Sequence, residues 1–142
     1  MIYFITGGER SGKSRYAQQL ALELTDKPIY IATARKWDDI NQEELNKWMT
    51  DFVNEKTPAG ECFTDLHQRV KEFFDEIIIL HNSEKETVVI ITHAGVIRSI
   101  LCQVLDIPLR NAFKIPIDLG GITKISIDAK SCCQSIGYIN LA

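Results

Sequence analysis

The chain has no run of about 18 or more apolar residues, so nothing in its 142 residues reads as a membrane span. It has no basic excess: 16 Lys and Arg against 19 Asp and Glu give a formal net charge of −3, which speaks against a nucleic-acid partner. Charged residues make up 25% and hydrophobic ones 45%, which is a folded rather than a disordered composition. It has no basic-then-apolar leader pattern, because Glu9 and Arg10 follow the first apolar run almost at once. Its four cysteines show no Cys-x-x-Cys spacing, no histidine stands near Cys132 and Cys133 to complete a zinc set, and adjacent cysteines do not readily bridge each other. These absences predict a reduced, cytoplasmic protein with incidental thiols. Internal repeats, low-complexity tracts and Gly/Ser-rich linkers are also lacking, and the length suits one domain over 1–142. The sequence sets no oligomeric state.

What is present alternates. "MIYFIT" is a short apolar run ended by Gly7 and Gly8, and reads as a buried strand. "GKSRYAQQLALELTD" places Ala17, Leu20, Ala21 and Leu24 at helical spacing, and "KPIYIAT" predicts a second strand. In "DDINQEELNKWMTDFVNEK", Leu45, Trp48, Met49 and Phe52 form one apolar stripe, and "TPAGE" is a turn. From Phe63 to about Leu80, Leu66, Val70, Phe73, Phe74 and Ile77 fall at steps of three and four, the mark of a helix with a core-facing side. "ETVVIITH" is an apolar strand, "AGVIRSILCQVLD" a helix, and "ITKISID" and "SIGYINL" are two late strands. The order predicts an α/β fold in three layers, with a mainly parallel sheet and helices on both faces.

Gly7, Gly12, Lys13 and Ser14 fit the spacing Gly-x-x-x-x-Gly-Lys-Ser, between a predicted strand and a predicted helix. In such a loop, backbone N–H groups and the positive end of the helix dipole converge on phosphate oxygens. The candidate phosphate- or nucleotide-binding residues are therefore Gly7, Gly8, Glu9, Arg10, Ser11, Gly12, Lys13 and Ser14. Lys13 would reach the outer phosphates, and Ser14 would offer its hydroxyl to a magnesium ion carried with ATP or GTP. The alternative is a glycine-rich turn without a ligand. Beyond this pattern, "MIYFITGGERSGKSRYAQQLAL" and "PIYIATAR" resemble the start of the bifunctional adenosylcobinamide kinase/adenosylcobinamide-phosphate guanylyltransferase family of cobalamin synthesis. The resemblance covers about the first 38 residues. That family continues with a His-rich helix and an apolar strand ending in a magnesium-binding Asp. Here "TVVIIT" runs into His93, "EIIIL" ends at Leu80 and His81, and only "ISID", near the C-terminus, ends in an acid, Asp128.

His93 stands at the end of an apolar strand, where α/β proteins place ligands, and Ala94 and Gly95 open the next helix. The residues alone leave open a ligand-facing imidazole and one that merely ends a strand. "NKWMTDFVNEKTPAGECFTDLHQRVKEFFDEI", "TVVIITHAGVIRSIL" and "GGITKISI" resemble the C-terminal half of the histidine phosphatase family, and within it the α-ribazole-phosphate phosphatases. This resemblance runs from about Asn41 to the C-terminus. It implies that His93 is the second active-site histidine, which stabilises the phosphoryl group in transfer, and that Glu61 belongs to a turn facing the pocket. Arg98 matches the same stretch and is also placed for a structural ion pair. The family's nucleophile lies in an Arg-His-Gly stretch, and no such tripeptide occurs in this sequence. His67, on the polar side of a long helix, and His81, at its end, read as solvated. A chain without a histidine to accept phosphate lacks the covalent route.

Together the resemblances predict a histidine-phosphatase-like core whose first strand, loop and helix are of the P-loop kind, with a kinase-like segment 1–38 and a phosphatase-like segment 39–142. "IYFIT" and "PIYIAT" would take the places of the phosphatase's first two strands. The Gly7–Ser14 loop would then lie beside His93 at one edge of the sheet, with Arg10 or Arg35 partly replacing the family's arginines. Three activities compete. One is a phosphatase-type protein binding a phosphorylated small molecule, the second a nucleotide-binding kinase or guanylyltransferase, and the third a non-catalytic fusion remnant.

Overall fold

A computed structural model describes residues 1–6, 13–24, 29–30, 42–57, 60–81 and 86–141 of the chain. In chain order the elements are β1 (Ile2–Thr6), α1 (Lys13–Leu24), β2 (Ile29–Tyr30), α2 (Gln42–Thr50), α3 (Phe63–Leu80), β3 (Val88–Thr92), α4 (Ala94–Val104), a 3₁₀ helix (Leu109–Lys114), β4 (Ile122–Ile127) and β5 (Gln134–Leu141). The five strands form one sheet in the order β2-β3-β1-β4-β5. β1 thus lies between β3 and β4, so strands from both sequence segments share one sheet.

The sheet is mixed, where the sequence predicts a mainly parallel one. β1 and β2 each pair with β3 in parallel, whereas β1–β4 and β4–β5 are antiparallel. The chain path gives the reason. α4 carries the chain away from the end of β3, residues 105–121 return it to the edge where β1 ends, and β4 must then run back alongside β1. β5 follows after only residues 128–133, too short for the crossover of about a dozen residues that a parallel neighbour requires.

Strand alternation sends side chains to two cores. Ile2 and Phe4 of β1 and Val88 and Ile90 of β3 meet Val70, Phe74, Ile77 and Ile78 of α3 and Val96, Ile97, Ile100 and Leu101 of α4. On the opposite face Ile5, Val89 and Ile91 pack with Ala21 of α1, flanked by Tyr3, Leu20 and Ile122. Helices therefore cover both faces, as the periodicities predict. Phe4 and Phe74 meet at the first core with ring centroids 6.2 Å apart, inside the range for a favourable aromatic pair.

α3 begins with a capping box in which the Cys62 thiol accepts from Asp65 N–H and the Asp65 carboxylate accepts from Cys62 N–H. Hydrogen bonding of the carboxylate to Cys62, first to its side chain and then to its N–H, holds the Asp65 carboxyl below the usual carboxylate range. A satellite core seats the start of α3: Phe63, Cys102 and Ala112 are buried against Phe52, Leu66, Ile107, Leu109 and Ile115. Phe52 meets Phe113 and Phe63 edge-on, and Trp48 meets Phe113 edge-on. Met49, included in the α2 stripe on spacing, is 63% exposed, because α2 packs only through the Trp48 side of that stripe.

Candidate functional site

The two parallel strands β1 and β3 end level with each other. Their register pairs Thr6 with Thr92, both buried. β1 therefore ends at the sheet edge where β3 delivers the chain to His93, the position at which α/β sheets bind ligands. A turn is pinned against this edge. Thr6 N–H donates to Gly121 O at 3.3 Å, and Gly120 N–H lies 3.1 Å from Thr6 O and 3.0 Å from Thr6 Oγ1. The Thr6 hydroxyl donates in turn to Asp118 O. Gly120 has φ 80°, a conformation suited to glycine, and a Cβ on Gly121 would come within 2.9 Å of Asn140 Oδ1. Asn140 closes the turn from β5, accepting from Asp118 N–H at 2.8 Å and donating to Pro116 O at 2.9 Å. Sequence reasoning missed this Thr6–Asn140 framework. Its local signal was the Gly120-Gly121 pair before β4.

His93 is the N-cap of α4, with extended backbone (φ −91°, ψ 157°) and a half-buried side chain that makes no capping hydrogen bond. Its carbonyl accepts from Val96 N–H at 3.0 Å and Ile97 N–H at 3.2 Å, starting the helix. The imidazole thus stands at the positive end of a helix dipole, an environment that favours an anion. Gly7, Gly8, Glu9, Arg10, Ser11 and Gly12 lie outside the described residues, as does Arg35. Lys13 and Ser14 are the first two residues of α1, and their side chains also lie outside the description. Among the described residues no three His, Cys, Asp or Glu side chains form a metal site, so the magnesium expectation rests on Ser14.

Glu61 is exposed in the turn before α3, and Arg69 holds its carboxylate with Nη2–Oε1 at 2.5 Å and Nε–Oε2 at 3.4 Å. Arg98 makes a different contact from the expected ion pair: its Nε donates to Ile115 O at 3.0 Å, and its guanidinium lies 4.9 Å from the centre of the Phe113 ring. Burial pushes its pKa down. His81 caps the end of α3 with Nδ1 3.4 Å from Glu86 Oε2. Asp128, the acid at the end of "ISID", accepts from Lys130 N–H, Ser131 N–H and the Ser131 hydroxyl, so it closes a hairpin turn.

His67 departs most from its sequence reading. It is half-buried between α3 and α4, with Nδ1 2.9 Å from Oγ of the buried Ser99. Burial lowers its pKa below the ordinary 6.5, nearby Lys71 acts in the same direction, and the bond with Ser99 opposes them. The native state therefore binds fewer protons than the unfolded state, and stability rises with pH across that interval. The contribution of neutral His67 is present above pH 6.5 and is lost as pH falls from there through the lowered native value. In urea melts from pH 7.5 to 5, His67→Gln is expected to flatten this fall relative to the parent. Parallel pH profiles for the two proteins would overturn the assignment.

A histidine at a helix N-terminus on the carboxyl edge of the sheet, with helices on both faces, is a place where an α/β fold can seat an anion. Residues 31–136 match the Histidine phosphatase superfamily (branch 1), and the chain belongs to that superfamily. Residues 3–51 match a second family, cobinamide kinase / cobinamide phosphate guanyltransferase, so the two matches overlap over 31–51. Among curated proteins the chain is 26% identical over 102 residues to the "Putative phosphoserine phosphatase 2" of Hydrogenobacter thermophilus, covering 72% of this chain and 48% of that protein. It thus spans about half the length of the curated relative that it matches. Among solved structures it resembles the α-ribazole phosphatase of Shigella flexneri, with a TM-score of 0.76 at 13% identity over 99% of this chain and 96% of the other. It also resembles the phosphoserine phosphatase of Entamoeba histolytica in complex with 3-phosphoglyceric acid, with a TM-score of 0.72 at 13% identity and the same coverage. These two likenesses concern the fold. No described helix is long and apolar enough to cross a membrane.

Proposed function

We propose that the chain is an α-ribazole-phosphate-phosphatase-type protein of cobalamin nucleotide-loop assembly. It binds a phosphomonoester between the Gly7–Ser14 segment and His93, and it does not itself carry the phosphohistidine route. The observation that supports this reading most is the register of Thr6 with Thr92, which brings the start of one candidate phosphate-binding segment beside the other. On this reading, main-chain N–H groups and Lys13 hold the phosphate, and His93 donates to it from the opposite side. Glu61, held by Arg69, shapes the turn near the pocket. Hydrolysis is weak or absent, because no Arg-His-Gly stretch supplies a nucleophile. The likeness to a phosphoserine phosphatase and to α-ribazole phosphatases suggests small phosphorylated substrates rather than macromolecules.

A second reading, nucleotide binding of the cobinamide-kinase type with magnesium at Ser14, is favoured by the match over residues 3–51. Calorimetric titration with inorganic phosphate, α-ribazole phosphate, ATP and GTP, each with and without magnesium, separates the two. Saturable binding of phosphate and of the phosphomonoester without magnesium is the expected result. Binding confined to ATP or GTP with magnesium would transfer the assignment to the second reading. Absence of binding to any of the four would leave a non-catalytic fusion remnant.

A further inference from the structure

We propose, resting on the phosphate-binding reading above, that Asp118 selects the ligand of that site: a phosphomonoester that carries an ammonium group close to its phosphate. β1 lies between β3 and β4. His93, just past β3, and the Asp118–Gly121 turn, just before β4, therefore flank the end of β1 on its two sides. Neighbouring strands lie about 4.8 Å apart, so the two flanks are roughly 10 Å from each other across Thr6. A phosphate held on the His93 side and an ammonium two carbons away can span that gap.

The turn is held in one place. Asp118 is tied at both its main-chain groups: its N–H donates to Asn140 Oδ1 at 2.8 Å, and its carbonyl accepts from the Thr6 hydroxyl. Gly120 N–H donates back to Thr6 Oγ1 at 3.0 Å, and Thr6 itself is buried. Asn140 acts from a left-handed backbone with φ 58°, a conformation that persists in a residue other than glycine where its surroundings over-determine it. Neither bond of Asp118 uses its side chain, and the residue is exposed.

The effect of the carboxylate does not depend on its rotamer. Ordinary bond lengths keep a carboxylate oxygen within about 6 Å of its own residue's carbonyl oxygen. That carbonyl is hydrogen-bonded to Thr6, so the Asp118 carboxylate stays within about 9 Å of the end of β1. This is about one Debye length at physiological ionic strength. Two unit charges about 8 Å apart change an affinity by a factor of about two in bulk water and about thirty at an effective dielectric of 20. Charge fixes the sign: the carboxylate weakens binding of a bare phosphate and favours a ligand that brings its own ammonium. Nucleotides, with more negative charge and no ammonium, are disfavoured by the same field.

The test is calorimetric titration of the parent, Asp118→Asn and Asp118→Glu with inorganic phosphate, 2-aminoethyl phosphate and n-propyl phosphate. The two esters match in shape and differ in the ammonium. Relative to the parent, Asp118→Asn should lose about threefold to thirtyfold of the affinity ratio that favours 2-aminoethyl phosphate, and should bind inorganic phosphate more tightly. Asp118→Glu, which keeps the charge, should keep the parent's ratio. Raising the salt from about 20 mM to about 0.5 M should shrink the difference between the parent and Asp118→Asn. Both variants retain the main-chain bonds of the turn, so their urea midpoints should match the parent's. An equal ratio in the parent and Asp118→Asn would overturn the role of Asp118 and leave phosphate binding intact. Failure of the parent to bind any of the three ligands would overturn the phosphate site itself, and the selection with it.

Discussion

Truncating Phe74 to alanine is expected to destabilise the protein by about 3–5 kcal/mol, a large share of the roughly 5–15 kcal/mol available to a domain of this kind. Phe74 is fully buried, and its ring faces Phe4 across the contact between α3 and the centre of the sheet. Its removal forfeits transfer free energy and leaves a cavity between rigid layers that cannot collapse readily, since β1 is flanked by β3 and β4. Ile79, five residues further along the same helix, is 77% exposed, and Ile79→Ala should stay within about 0.5 kcal/mol. Urea unfolding monitored by far-UV circular dichroism compares the two. The expected result is a large fall in midpoint for Phe74→Ala with little change in slope, and almost none for Ile79→Ala. Similar midpoints for the two variants would contradict the packing of α3 on the sheet.

That contrast was largely legible in the sequence, because periodicity reports which side of an element is buried. The steps of three and four through Leu66, Val70, Phe74 and Ile77 pick out the face of α3 that joins the core. The run from Val88 to Thr92 carries no alternation, and every residue of it is buried, as expected for a strand covered on both faces. Strand direction is a different kind of information. "ITKISI" would look the same in either orientation, and β4 runs antiparallel because the return path through residues 105–121 ends beside Thr6. Composition and spacing do not encode such a path.

The candidate site divides in the same way. His93 after an apolar strand, with small residues opening a helix, is a local pattern, and the residue does cap α4 at the carboxyl edge of the sheet. The contacts that organise its surroundings are long-range. Thr6 looks like the polar end of a strand, yet its hydroxyl and main chain anchor the Asp118–Gly121 turn. His67 falls on the polar side of α3 by spacing, but α4 presents Ser99 to that side. Glu61 reads as part of a turn facing the pocket, and its carboxylate is engaged at both oxygens by Arg69, about two helical turns further along. In each case a side chain's partner comes from a neighbour that the helical or strand period does not reveal.

Alanine at position 93 is expected to weaken phosphate binding by roughly tenfold to 150-fold, the equivalent of losing one charge-assisted hydrogen bond of about 1.5–3 kcal/mol. Lys13→Ala should produce a loss of the same order, because an ammonium at the start of α1 would face the same anion. The number of sites is the sharper readout. If β1 and β3 deliver the two groups to one pocket, as the pairing of Thr6 with Thr92 suggests, the parent protein binds one phosphate per chain and both variants weaken that single event. Separate pockets would instead give two binding events, each variant removing one and sparing the other. The substitution at position 93 should not shift the urea midpoint much, since the imidazole makes no capping bond and α4 is started by the main chain of His93. A single site that ignores either substitution would break the link between the glycine-rich segment and the histidine, and the phosphate would then have to be assigned to the other group alone.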